Sequence, residues 1–569
     1  MDSAERQARP ADHAMRARWW PPRAALALAL LVVAVSAACG GSANTNGSPS
    51  AASGSPRQGG SLTFAFQGEP STLDPAVVWD IIGTQVEHQI YRGVLGYVPK
   101  PGAAGLEMVP DLATEVPSVE NGGVTNGGKT FIFRLRKGVL FQAPVSREVT
   151  AQDFKYSFER MLREPLAPAT YFYTGVVGAQ EYYDKKADTV EGFKVLDRYA
   201  FEIDLTSPDL SFLKALGGMD FCDVVPREWV EKWGNQFNRH PLGTGPFLFD
   251  HWTPGREIVL TRNPDYWEKG KPYLDEVKYT LSFNPQTAFL KLQLGQVDVL
   301  MDYLPTAEIA RAKADPALGK NITTMTKMAT EYLFMNTQMK PFDDVKVRQA
   351  LSWAIDRDRL VKLLGGQAEA LYQVYPRSMP GYEEGKAFYG YDPAKARRLL
   401  ADAGYPGGFK TTIYSSNVDP YPKLMQSVQA DLAKVGVKAA LKTTSVSTYG
   451  ALSSTPHTTT MGTETWSMDF PDPADWIIPI FSKSNAVQGG VNAAFWWTPE
   501  LEQMIVAAQA MTDPAARITK YTNMQDYIMS QAPYITLYQP IKITVCSTNV
   551  GGFYLHQAYQ WDTIDYWRM

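Results

Sequence analysis

The sequence contains 569 residues, of which 45% are hydrophobic and 20% are charged. This length exceeds the roughly 250–300 residues at which one hydrophobic core usually stops growing, so we expect at least two lobes. The net charge of −4 provides no broad basic surface, which argues against a nucleic-acid partner. The six histidines are scattered and form no His-x-x-x-His pair of the zinc-protease type, so we assign no metal ligand. We also assign no catalytic residue and no cofactor.

The first residues have the composition of an export signal. Residues 1–38 begin with scattered arginines, continue through an apolar run at 24–35 and end in small residues, which predicts a signal peptide. Cys39 directly follows two alanines, an order that resembles a bacterial lipoprotein box, so we expect Cys39 to be lipidated. The alternative is ordinary cleavage near Ala38. Residues 39–58 are rich in Gly, Ser, Ala and Asn and should form a disordered tether.

The folded part is predicted to begin at Gly59. Residues 61–66, SLTFAF, alternate between apolar and polar side chains as a strand does. Residues 129–141, KTFIFRLRKGVLF, predict a second strand that is half exposed. Thr150 and Asp153 then have the spacing of a capping box, which predicts that a helix begins there.

A hairpin and a tight turn follow. Residues 187–205 contain two strand-like runs joined by a polar pair, which predicts a β-hairpin. Residues 243–247, GTGPF, precede a strand rather than a helix, so their glycines indicate a turn and not a phosphate loop. RNPDYW at 262–267 and LQLGQVDVL at 292–300 are two further distinctive segments.

Residues 331–364 are the segment around which the chain is organised. They begin as an apolar strand at 332–335, and Asp343 or Asp344 can then cap a helix. The predicted helix has an apolar stripe at helical spacing, formed by Val347, Leu351, Ala354, Ile355 and Leu360. Gly365 and Gly366 are expected to end it.

The second half of the chain alternates between helices and strands. This alternation predicts an α/β fold with a mostly parallel sheet covered by helices. Residues 466–476, WSMDFPDPADW, interrupt the pattern with acids, prolines and tryptophans. Residues 532–548 are expected to form an apolar strand pair near the end of the chain.

The order of these segments resembles family 5 of the extracellular solute-binding proteins, which serve peptide-type and nickel-type ATP-binding-cassette importers. The resemblance implies a two-lobed periplasmic-binding-protein-like α/β fold with hinge strands and an accessory subdomain in lobe one, the large class II, cluster C type. It implies these boundaries: lobe one at 59–95, accessory subdomain at 96–210, lobe one continued at 211–335, lobe two at 336–535 and a return to lobe one at 536–569.

The resemblance also implies where a ligand binds. Residues after the first strand line the cleft in this family, which marks Gln67, Gly68 and Glu69. Peptide binders of the family carry an acid after a tryptophan to receive the α-amino group of the ligand. The matching segment marks Trp466, Ser467 and Asp469 as further ligand-binding residues.

Two cysteines remain after Cys39 is set aside. Cys222 and Cys546 both follow apolar strand-like stretches, and the resemblance places both in lobe one. We therefore predict a possible disulfide between them, with two separate buried thiols as the alternative.

The resemblance implies a monomeric, membrane-anchored lipoprotein on the outer face of the cell membrane. It would capture a peptide or similar small solute and deliver it to a membrane permease. A nickel-chelate or opine ligand is an alternative within the same fold. A secreted hydrolase of glycans or peptides is an alternative outside it, and acids such as Asp469 and Asp472 would then serve catalysis.

Overall fold

The computed structural model describes residues 55–168, 170–218 and 220–569. The predicted signal peptide, Cys39 and residues 39–54 of the predicted tether lie outside the described residues. The strands are β1 Ser61–Ala65, β2 Leu95–Tyr97, β3 Met108–Pro110, β4 Val124–Thr125, β5 Thr130–Arg134, β6 Phe193–Asp197, β7 Ala200–Asp204, β8 Phe247–Thr253, β9 Glu257–Arg262, β10 Glu276–Thr280, β11 Val299–Leu300, β12 Ile322–Thr326, β13 Ala329–Met335, β14 Ala368–Ala370, β15 Lys410–Ser416, β16 Lys438–Thr444, β17 Met461–Ser467, β18 Tyr534–Val545, β19 Val550–Gly551 and β20 Trp567–Arg568.

Helices alternate with these strands most regularly in the second half of the chain. They are α1 Ile81–Glu87, α2 Ala151–Arg163, α3 Ala179–Tyr183, α4 Phe212–Gly218, α5 Arg227–Trp233, α6 Pro285–Gln293, α7 Ile309–Ala314, α8 Val345–Ala354, α9 Arg357–Leu363, α10 Pro393–Asp402, α11 Tyr421–Lys434, α12 Val446–Ser453, α13 Ala474–Phe481, α14 Pro499–Gln509 and α15 Pro514–Gln531.

The first lobe is built on a five-stranded sheet in the order β11-β1-β10-β9-β8. Strand β1 runs parallel to both β10 and β11, so its two edges are paired. Leu62 and Phe64 of β1 are fully buried in the core beneath this sheet, as the alternating pattern of SLTFAF predicts. The loop that follows β1 therefore leaves a fixed edge of the sheet.

The second lobe is built on a sheet in the order β12-β18-β13-β17-β15-β16. The long strand β18 pairs through residues 534–538 with β13 and through residues 541–545 with β12. Its next residue, Cys546, forms a bridge with Val299 of β11, which belongs to the first sheet. The chain thus passes between the two sheets along β18.

The strand-to-helix segment of the sequence analysis forms as expected, with one difference. All seven residues of β13 are buried, and the side chain of Asp344 accepts a hydrogen bond from the Lys346 amide as the helix cap. The predicted single helix is two helices, because α8 ends at Ala354 and Asp356 caps α9. The five residues of the predicted stripe are nonetheless all buried, since both helices pack on the same core.

A separate four-stranded sheet, β4-β5-β7-β6, lies within the region predicted as the accessory subdomain. The predicted hairpin is β6 and β7, and the predicted capping box of α2 is present at Thr150 and Asp153. Helix α2 packs on this sheet through stacked rings, with the Phe154 and Phe201 centroids 5.4 Å apart. This sheet has its own hydrophobic core.

The predicted disulfide is not present. Cys222 and Cys546 are both free and buried. Cys222 lies in the core of the accessory sheet, whereas Cys546 lies in the core beneath the five-stranded sheet. Because each cysteine belongs to a different core, the prediction of a bond between them is wrong, and the alternative of two separate thiols holds.

We expect thiol titration to show this arrangement in the Cys39→Ser protein. After unfolding without reductant, both Cys222 and Cys546 should react with a disulfide reagent. In the native protein both should react slowly, because burial raises the pKa of Cys222 above its usual range and that of Cys546 to about 12. Fewer than two titratable thiols in the unfolded protein would contradict this expectation.

Candidate functional site

Segments of both lobes line a cavity of about 870 Å³. This volume falls within the roughly 300–1,000 Å³ typical of small-molecule sites. The lobe-one contributions include Glu69 and residues at the start of α1, and the lobe-two contributions include the end of β17. The cavity therefore lies where the two sheets approach each other along β18.

Four of the six predicted ligand-binding residues line this cavity: Glu69, Trp466, Ser467 and Asp469. Gln67 and Gly68 do not line it and support its wall instead. The Gln67 amide donates a hydrogen bond to the Asp302 carboxylate. A Cβ atom at Gly68 would come within 2.9 Å of Ile82 Cδ1, so the loop after β1 packs closely against the end of the Ile82 side chain.

Glu69 is held by lobe one. Its Oε1 accepts a hydrogen bond from Trp252 Nε1 at 2.7 Å, and its Oε2 accepts one from the Gly255 amide at 3.0 Å. Both donors belong to the β8–β9 hairpin region. The carboxylate therefore ties the loop after β1 to this hairpin and shapes the wall of the cavity.

Asp469 stands in a turn that a second acid organises. Strand β17 ends at Ser467, and the buried Asp475 at the start of α13 accepts hydrogen bonds from the amides of Asp469 at 2.8 Å and Phe470 at 3.4 Å. Asp469 itself is half-buried, and among the described residues its Oδ2 has no hydrogen-bond partner. A buried carboxylate oxygen without a donor is ready to accept one from a ligand.

Burial raises the pKa values of both Asp469 and Asp475. It raises the pKa of Asp469 to about 7, although a hydrogen bond with Asp475 opposes the shift. Burial and the neighbouring Asp469 carboxylate raise the pKa of Asp475 well above its ordinary value. A cation that arrived beside Asp469 would favour its ionised form and offset part of the desolvation cost.

Asp472 has a structural role. Its carboxylate forms a bidentate pair with Arg517 at 2.8 and 2.9 Å, and Lys214 lies 3.1 Å away. Although burial raises the pKa of Asp472, Lys214 and Arg517 hold it below its ordinary value. Asp472 therefore joins α15 and α4 to the turn, whereas Asp469 lines the cavity, as do Glu69, Asp80 and Asp302.

The sequence analysis missed much of the apolar wall. The cavity is also lined by apolar side chains at Trp79, Ile81, Met301, Met325, Met328, Met468 and Val446. These residues are far apart in the sequence, and the segment around each one has the pattern of an ordinary buried core or loop. Only the pairing of the sheets brings them to one surface.

One segment matches a phosphate-loop motif in sequence but not in structure. Residues 123–130, GVTNGGKT, fit the consensus of a phosphate-binding loop. In the structure these residues span the turn between β4 and β5, which are antiparallel neighbours. A phosphate loop must open a helix whose amides face the anion, so this hairpin lacks the required geometry.

The described residues contain neither a metal-binding cluster nor a membrane-spanning helix. Among residues 55–168, 170–218 and 220–569, no group of three or more His, Cys, Asp or Glu could hold a metal ion. Within the same ranges, none of the helices combines the length and apolar character needed to cross a membrane.

Comparison with known proteins decides the family. Residues 107–488 match the family of bacterial extracellular solute-binding proteins, family 5. The chain belongs to this family. Its members bind solutes and are not enzymes, so the hydrolase alternative is excluded.

Individual relatives extend the match to most of the chain. A heme-binding protein A from Haemophilus influenzae is 29% identical over 93% of this chain and 95% of its own length. A dipeptide-binding protein from Escherichia coli K12 is 29% identical over 85% of this chain and 91% of its own length. The structure of the Helicobacter pylori periplasmic binding protein DppA, in complex with the peptide STSA, is 26% identical with a TM-score of 0.75 and covers 90% of this chain and 98% of that one. The two-lobed α/β fold predicted from the sequence is confirmed.

The contrasting surroundings of Asp469 and Asp472 lead to opposite effects on stability. The raised pKa of Asp469 means that its stabilising contribution is lost as pH rises through about 7. At about pH 8, Asp469→Asn should therefore raise the free energy of unfolding, and it should change little only at about pH 4, close to the ordinary aspartate pKa of 3.8. Asp472→Asn should lower it by about 3–5 kcal/mol, because it leaves a buried guanidinium without its carboxylate.

Urea unfolding of the two variants at both pH values would test these signs. A loss of stability in Asp469→Asn at the higher pH would contradict the burial of an unpaired carboxylate at this position. A neutral Asp472→Asn would contradict the structural role of its ion pair.

Proposed function

We propose that the protein captures a peptide or a similar small solute in this cavity and delivers it to the permease of an ATP-binding-cassette importer. The observation that carries the proposal is the Asp469 carboxylate, which lines a cavity between two lobes with one oxygen unpartnered. The relatives that bind a dipeptide and the peptide STSA support a peptide as the ligand.

Asp469 would receive the α-amino group of the ligand. An ammonium that leaves water for a confined cavity needs a carboxylate, because an unpaired buried charge costs several kcal/mol. A charge-assisted hydrogen bond to Asp469 would contribute about 1.5–3 kcal/mol. Trp466, which is 8% exposed, would provide an aromatic wall beside the cation, and Ser467 adds a polar group at the same strand end.

Ligand capture would proceed by closure of the lobes about the strands that join them. We propose hinges near residue 336, where β13 ends, and near residues 534–539, in the first half of β18. These positions follow the predicted boundaries of lobe two at 336–535. A hinge motion needs only a few backbone angles to change.

The protein would act at the outer face of the cell membrane. The predicted signal peptide at 1–38 supports export, and Cys39 would carry the lipid anchor. The polar tether at 39–58 would then hold the folded lobes, as a monomer, within reach of the permease.

Isothermal titration calorimetry with short peptides tests the role of Asp469. We expect Asp469→Asn to weaken binding of amino-terminated peptides about tenfold or more, which corresponds to about 1.4 kcal/mol per factor of ten. It should also remove the preference for a free over an acetylated amino group. Asp419→Asn, whose side chain is 71% exposed, serves as the control and should bind as the wild type does.

Equal affinity of the wild type and Asp469→Asn for both kinds of peptide would remove Asp469 from the site. A wild-type protein that binds no member of a random peptide mixture would overturn the peptide assignment itself.

Cys39→Ser tests the anchor. We expect this variant either to appear in the medium or to remain as the uncleaved precursor, because no thiol is left for lipid attachment. Fractionation and mass spectrometry of the amino terminus would distinguish the two. Membrane retention of a fully processed Cys39→Ser protein, equal to that of the wild type, would rule out lipidation at Cys39.

A further inference from the structure

Two lysines line the same cavity as Asp469. Lys542 lies on β18 with 4% of its surface exposed, and the half-buried Lys327 lies between β12 and β13. The Lys327 amide donates a hydrogen bond to the Pro540 carbonyl at 2.8 Å. Since Pro540 and Lys542 are two residues apart on β18, the backbone of Lys327 lies beside the stretch of β18 that carries Lys542.

Among the described residues, neither lysine has an acidic partner within bonding distance. Lys542 Nζ donates to Gln560 Oε1 at 3.1 Å and lies 4.7 Å from the centre of the Trp561 ring. In the part of the chain that the structure describes, no hydrogen bond or ion pair reaches the ammonium of Lys327. Two cations therefore face one cavity with neutral protein partners at most.

Two acids act electrostatically on the lysines, and each already accepts a hydrogen bond from another part of the protein. Asp302 influences Lys542 and accepts a hydrogen bond from the Gln67 amide. Glu331 on β13 influences Lys327 and accepts a hydrogen bond from the Tyr421 hydroxyl at 3.2 Å. These acids offset part of the positive charge without contacting either ammonium.

Burial of the two lysines disfavours their charged forms. Burial, followed by the charge of Lys327, lowers the pKa of Lys542 to about 7, although Asp302 opposes this shift. Burial also lowers the pKa of Lys327, against the influence of Glu331. An anion that contacted both ammonium groups would favour their charged forms and relieve their mutual repulsion.

We propose that Lys327 and Lys542 form an anion subsite that binds a carboxylate of the captured solute. This inference deepens the proposed function, on which it rests, by specifying the chemistry of the ligand. The solute carries a carboxylate in addition to any group that meets Asp469.

The apolar side chains next to the lysines specify the rest of the ligand. Met325 is the direct cross-strand partner of Lys542, so their side chains share one face of the sheet. Met301 and Met328 also line the cavity, and both are nearly fully buried. Methionine side chains adapt to apolar groups of varied shape. The ligand class is therefore an acid with an apolar body next to its carboxylate.

The experiment compares acids with their uncharged amides. The probes are the dipeptide Ala-Phe and its carboxamide, together with octanoate and octanamide, with affinity measured by calorimetry or tryptophan fluorescence. The proteins are the wild type, Lys327→Met, Lys542→Met and the control Lys423→Met, whose side chain is 74% exposed. Circular dichroism verifies folding, and Lys542→Gln replaces Lys542→Met if the latter does not fold.

We expect the wild type and the control to bind each acid about tenfold or more tightly than its amide. Each cavity variant should lose most of this preference while keeping its affinity for the amide. The wild-type affinity for octanoate should also fall as pH rises through about 7, where Lys542 loses its proton, and Lys542→Met should reduce that dependence. Asp302, Glu331 and Asp469 are the other groups in this region whose raised pKa values could contribute.

Unchanged acid-to-amide ratios in both cavity variants would overturn the anion subsite. If peptides bind through Asp469 with equal affinity for acid and amide, the subsite fails while the proposed function stands. If octanoate binds in a lysine-dependent way and no peptide binds, the subsite stands and the peptide assignment fails. A lysine-dependent preference with Ala-Phe would identify the carboxyl terminus of a peptide as the anion.

Discussion

The pairing of β18 with β13 and then with β12 is the constraint on which the cavity depends. Residues 534–538 pair with β13 and residues 541–545 pair with β12. Strand β18 therefore fixes the positions of β13 and β12 relative to each other. Side chains on β18 are buried along nearly its whole length, which makes a shift of register costly. Lys542 and the turn after β17 therefore face the same space from fixed positions.

The cavity keeps charged groups that the fold itself does not neutralise. Asp472 shows the usual solution for a buried acid, since Arg517 and Lys214 both bind it. Among the described residues, neither Asp469 nor Lys327 forms an ion pair with a side chain of opposite charge. Protein charges that are desolvated but unpaired favour a ligand with complementary charges, because binding then removes a cost that folding left in place.

Tertiary context also decided which expectations from the sequence were wrong. One continuous stripe predicted one helix at 345–364, but Asp356 caps a second helix while both segments face the same core. The two cysteines follow similar apolar runs, but they belong to different cores and do not pair. In both cases the local pattern correctly predicted that the residues are buried. It could not predict which other residues they pack against.

The sequence, through its patterns and its resemblance to a family, predicted the two-lobed α/β class, a strand at 332–335, a helix cap at Asp343 or Asp344, and Glu69 and Asp469 as residues of the cleft. These features depend on residues close together in the chain, or on an order of segments that a family shares. Only the tertiary structure bound Glu69 to Trp252, paired Asp472 with Arg517 and brought Lys327 and Lys542 to one cavity. Those assignments join residues up to hundreds of positions apart, and such contacts follow from strand pairing between distant segments, for which local periodicity carries no signal.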